Sequence, residues 1–134
     1  MRWILTRAMQ AFFPHTDALP GLAEEAAHAH LDRLDAEAPL LFRLGLIAGA
    51  LAFTLSPLLT VGLPLPSLWL SAERLDLHAD RAASHPLYLY KMLIFTLKMN
   101  AGLAWGAQDQ VRRALALAPL PPDPRTTLAG EVTP

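Results

Sequence analysis

The side chains best equipped for chemistry are five histidines and the acids spaced around them. Glu24, His28 and Asp32 follow at four-residue steps, which would put them on one side of a helix and within reach of a shared proton. His28 and His30, by contrast, are two residues apart and point to different sides of a helix. They therefore lack the i, i+4 pairing of a helical zinc site, and exposed polar contacts are the better reading of this group. Arg74, His78, Arg81 and His85 recur at steps of 4, 3 and 4 and would form a cationic stripe able to receive an acidic surface. Glu73, Asp76 and Asp80 lie beside them, so a solvated, self-balanced face explains the same pattern and is preferred.

The remaining catalytic inventory is short. The chain has no G-x-G-x-x-G, no phosphate loop, no H-E-x-x-H and no nucleophile elbow. It has no cysteine, which excludes disulfides, iron–sulfur clusters, thiolate zinc sites, covalent haem attachment and thiol nucleophiles. The expectation is a chain that is no enzyme on its own and has no catalytic, cofactor-binding or metal-ligating residue. An independent enzyme working through His28, His30 and His78 ranks last.

The elements that must hold these residues are helical. Leu and Ala supply 28 and 23 of the 134 positions, against 3 each for Val and Ile, and that bias favours helix over strand. One domain fits this length. The hydrophobic share is 53% and the charged share 17%, below the roughly 25% of an average domain, so lipid or a partner is expected to cover part of the surface. Eleven basic and twelve acidic residues leave a net charge of −1, which argues against nucleic acid as a partner. Residues 1–39 carry 3 basic and 6 acidic groups, an acidic front that the more basic body can attract.

Along the chain, an apolar helix over 3–13 is expected to end at Pro14, followed by an amphipathic helix over 21–37 on Ala23, Ala27, Leu31 and Leu34. From Leu44 to Ala72 run 29 residues without a charge or a histidine. Leu44–Leu55 reads as helix, Pro57 interrupts, and residues 58–70 favour an extended or looped path. Residues 44–63 nominally reach across a bilayer, with Arg43 and Trp69 as interface anchors; burial or interfacial contact is the preferred alternative. Gly45 and Gly49 form a GxxxG pair, read first as tight packing within the subunit and second as contact with another chain. Ser71 caps a helix over 72–84. Residues 87–105 form an amphipathic helix on Tyr90, Leu93, Ile94, Leu97, Ala101 and Ala104, with Lys91, Phe95, Lys98 and Trp105 on another face. Val111 and Ala114 support a last helix. The fold expected is all-α, a compact bundle of about five to six helices with one strongly apolar central helix. It occupies residues 1–118 as a single domain, followed by an extended or disordered Pro-rich tail over 119–134. The first ten residues are too poor in apolar side chains for a signal peptide and contain no twin arginine.

Phe12-Phe13-Pro14 after the first helix, the charged phrase Leu70-Ser71-Ala72-Glu73-Arg74-Leu75, Leu97-Lys98, and Ala104-Trp105-Gly106 before Val111-Arg112 form an arrangement over about residues 3–117. It resembles the gluconate 2-dehydrogenase small-subunit family, and the helical segment that precedes the flavin domain in long-chain alcohol oxidases of the glucose-methanol-choline superfamily. The resemblance implies a non-catalytic accessory subunit of a large FAD-dependent alcohol, sugar or sterol dehydrogenase, with a cytochrome as a further partner. FAD and the acid/base histidines would belong to the large subunit. Lack of a twin-arginine signal and the apolar stretch 44–70 depart from the family, and the stretch points to membrane association, expected at a bacterial inner membrane. The alternative is a small membrane-embedded or monotopic helical protein acting in assembly through helix packing. The residues expected to contact a partner or membrane are Gly45, Gly49, Phe53, Leu58, Leu63, Trp69, Lys91, Phe95, Lys98 and Trp105.

Overall fold

A computed structural model describes residues 1–118, and the tail expected over 119–134 lies outside them. Seven α-helices follow in order among the described residues: α1 (Arg2–Phe12), α2 (Glu24–Glu37), α3 (Leu40–Leu55), α4 (Pro57–Thr60), α5 (Ala72–Ala83), α6 (Tyr88–Gly106) and α7 (Asp109–Ala114). A single 3₁₀ turn, Ser67–Trp69, separates α4 from α5, and no strand occurs among these residues. The all-α bundle is as expected.

Prolines and caps set most of the boundaries. Ala38 adopts extended backbone because the ring of Pro39 disfavours helical geometry in the residue before it, so α2 stops there. Glu24 and Glu25 occupy the first turn of α2, where the helix dipole favours negative charge. Ser71 accepts the backbone N–H of Arg74 and starts α5 as anticipated. Pro57 ends α3 and at once becomes the first residue of α4, a position where its missing N–H costs nothing. Residues 44–63 are thus two helices with a break at Ser56, and the looped path expected for 58–70 begins a turn later than expected. Ala116, at a positive φ of 55°, halts the chain soon after α7.

α6 and α3 run antiparallel and pack most extensively; α6 also touches α1, α2, α5 and α7. Their spacing is set at Gly49, where a Cβ would lie 2.7 Å from the Leu93 carbonyl oxygen. Only a glycine lets the two backbones come so close. Met9, Phe53, Ile94, Leu97 and Ala101 are fully sealed in a core that collects residues from α1, α2, α3, α5 and α6. The stripe expected on α6 is this core-facing side, with Tyr90, Ile94, Leu97, Ala101 and Ala104 all buried.

Two acids of the acidic helix α2, Asp32 and Asp35, are paired with arginines of neighbouring helices. Arg2 of α1 bonds both Asp32 and the His28 carbonyl, and Arg43 of α3 reaches Asp35 at 3.1 Å. These exposed pairs orient three helices more than they stabilise them, since such pairs contribute about 0–1 kcal/mol each.

Candidate functional site

His78 departs most from its sequence reading. The cationic stripe of α5 does not exist as a surface, because His78 has 0% exposure and is wedged against the Phe53 ring at 4.4 Å. Its Nε2–H donates to the Phe53 carbonyl at 2.7 Å, an oxygen that can only accept, so Nδ1 is the acceptor and takes the Thr60 hydroxyl proton. Burial holds its pKa below the usual imidazole value, partly countered by the bond to Phe53. Arg81 is likewise spent: its guanidinium donates to the Thr60 carbonyl at 2.6 Å. Together these bonds fasten α4 and the end of α3 to α5. Both nitrogens of His78 are occupied by this fastening, which gives the residue a structural role.

The other histidines do not converge. His28 lies 3.8 Å from Glu24 on the exposed side of α2, His30 bonds Asn100 of α6 at 3.0 Å, and His85 packs edge-on against Tyr90. Among the described residues no group of three or more acids and histidines is placed to hold a metal ion. A cleft of about 490 Å³ opens between α1, the loop after it, the 3₁₀ turn and α5, with Phe53 and Ser67 among its lining, Trp3 and Arg7 from α1, His15 from the loop and Asp76 from α5.

The two aromatic phrases, Phe12-Phe13-Pro14 and Ala104-Trp105-Gly106, meet in space. Phe13 stacks on Trp105 with centroids 5.1 Å apart, and the Trp105 indole N–H donates to the Pro20 carbonyl at 2.9 Å. Gln108 clamps the same loop from below, accepting the Ala23 N–H and donating to the Gly21 carbonyl. Trp105 is therefore half-buried in an internal joint, its ring stacked on Phe13 and its N–H spent on Pro20. Phe53, expected at a partner or membrane contact, is fully buried in the chain's own core. Gly49 serves the internal α3–α6 packing, whereas Gly45 has open space at its Cβ position.

The other expected contact residues do lie outward. Leu58, Trp69 and Phe95 are exposed, Trp69 at 72% and Phe95 at 57%; Lys91 and Lys98 are exposed beside Phe95, and Leu63 is half-buried. Around Phe95 and Tyr88 the structure adds Met92, Met99 and Leu103, which sequence reasoning missed. Tyr88, Met92, Met99 and Leu103 are exposed on the same side of α6, at steps of 4, 3, 4 and 4 through Phe95. Along α3, Leu41 is 82% exposed and Leu44 and Leu55 are open. The signal was in the sequence: α6 carries one apolar stripe on 90, 94, 97, 101 and 104 and a second on 88, 92, 95, 99 and 103. The first stripe alone accounts for an amphipathic helix, and the two lysines beside Phe95 mask the second.

The candidate site is therefore a surface: the open side of α6, with the exposed leucines of α3 at the neighbouring helix. No helix among the described residues is long and apolar enough to cross a membrane. No family model, no curated protein and no solved structure matches the chain.

Proposed function

We propose that this chain is a non-catalytic helical accessory subunit that docks on a large FAD-dependent dehydrogenase of the glucose-methanol-choline type and stabilises it. One observation carries the reading: α6 is apolar on two opposite sides, and only one is buried within the chain. A helix apolar all round requires cover all round, and exposed contiguous apolar surface of this kind marks an interaction site. The flavin character of the partner rests on the resemblance carried by Phe12-Phe13-Pro14 and Ala104-Trp105-Gly106. Contact between Phe13 and Trp105 supports treating those phrases as one structural unit. In this reading FAD and the reacting groups belong to the large subunit, and a cytochrome is a further partner.

Membrane contact is a second reading with its own observation. The Ser56–Tyr90 hydroxyl bond joins the end of α3 to the start of α6, so that Leu55, Leu58, Leu59, Leu87 and Tyr88 are exposed near one end of the bundle. Such an end can rest in a lipid interface while the α6 side engages protein. The test is affinity capture of the tagged chain from its native membranes, with an absorbance spectrum of the product. A large yellow protein in stoichiometric amount is expected. Recovery of a colourless chain alone, needing detergent, would overturn the flavoprotein reading in favour of the membrane one.

A further inference from the structure

α6 contains two charged residues, Lys91 and Lys98, seven positions apart. That spacing sets them on the same flank of the helix, about 10 Å apart along its axis. Both are exposed, and neither pairs with a carboxylate among the described residues. Arg2 and Arg43, by contrast, neutralise acids of α2, and Arg81 is bonded to Thr60. The lysines border the exposed stripe Tyr88, Met92, Phe95 and Met99, whose steps of 4, 3 and 4 are those of the seam between two paired helices. The opposite flank of the stripe, formed on α6 by Leu89 and Thr96, carries no charge of its own.

We propose that this seam receives an amphipathic helix of the partner subunit, whose own apolar stripe is bordered on one flank by carboxylates two turns apart that face Lys91 and Lys98. The proposal rests on the accessory-subunit reading for the source of the helix. Charge selects the occupant. In an antiparallel pair of identical chains the two-fold axis sets each flank against its own copy, so lysine meets lysine. A parallel pair would set the lysines against the uncharged flank of the copy. In neither arrangement does α6 of the copy, which has no acidic residue, supply a carboxylate. A bilayer offers anionic groups to both flanks alike, whereas the cations of α6 itself border one flank only, the other being packed by α2 through the His30–Asn100 bond. The apolar seam supplies most of the attraction, and the lysines set orientation and register.

The test uses two labelled synthetic helices with leucine at the seam positions, one flanked by glutamate and one by lysine, titrated against the full chain by fluorescence anisotropy. The glutamate helix is expected to bind about tenfold more tightly than the lysine helix, Lys91→Glu with Lys98→Glu to reverse that order, and Phe95→Glu to weaken both. Equal binding of the two helices, or an order unchanged by the double substitution, would overturn the proposal. So would failure of both helices to bind while the chain binds phosphatidylglycerol vesicles in a manner that Phe95→Glu abolishes. If the charge preference holds but no flavoprotein co-purifies, the reading of the partner fails and the interface stands. If a flavoprotein co-purifies and the helices bind alike, the reverse follows.

Discussion

At the scale of single residues, His78 sets how stability responds to pH. Its native pKa lies below the ordinary value of 6.5 because burial penalises the charged ring. As pH falls below about 6.5, the unfolded chain takes up a proton that the native imidazole refuses. This contribution to stability is therefore fully present above that pH and is lost as pH drops toward the native value. His78→Gln removes the titration, and urea melts from about pH 7.5 to about pH 5.5 should show a shallower decline for the variant than for the parent. At the upper pH the variant should be less stable by roughly 1–3 kcal/mol, because either the Phe53 carbonyl loses its donor or the Thr60 hydroxyl falls back on its longer bond to the Pro57 carbonyl at 3.4 Å. Parallel pH profiles would show that His78 titrates alike in both states. The position was misread from sequence because step counting on α5 assigned it to the charged side. What buries it is the tucking of α4 beneath α5, a consequence of Pro57 starting a new helix that no periodicity on α5 discloses.

At the scale of elements, the α3–α6 contact turns on which glycine faces inward. Gly49→Ala would drive a methyl into the Leu93 carbonyl at 2.7 Å, and backbone cannot swing away as a side chain can. A loss of about 1–3 kcal/mol is expected by chemical denaturation. Gly45→Ala meets nothing within 4 Å, and in a helix interior it should stabilise by up to about 1 kcal/mol. Equal effects of the two changes would contradict this placement of the helices. Several element boundaries were readable in advance, because Pro14, Pro57 and Ser71 act locally and α6 repeats its core positions over several turns. The fates of Phe53 and Trp105 were not readable. An aromatic residue in an apolar run looks the same whether it meets a partner or its own chain, and long-range pairings with His78 and Phe13 decided the matter.

At the scale of the whole molecule, polar and apolar resources are distributed unevenly. Asp32 and Asp35 of α2 are paired with Arg2 and Arg43, while α3 and α6 carry exposed Leu41, Leu44, Tyr88, Phe95 and Leu103. The low charged fraction had already signalled a surface that something else covers, but it could not say where, since the side of α6 that remains open is fixed only once the bundle has closed around the other. The account therefore stands or falls on α6. The most direct measurement is affinity capture of the parent chain and of Phe95→Glu from native membranes in parallel, with urea midpoints of both purified chains as a control for folding. Because Phe95 is solvent-facing, the unfolding free energies from the two melts should agree within about 0.5 kcal/mol. The parent should retain a flavin-bearing large subunit that the variant loses. Retention of that subunit by a folded variant would contradict the claim that the open side of α6 is the docking surface.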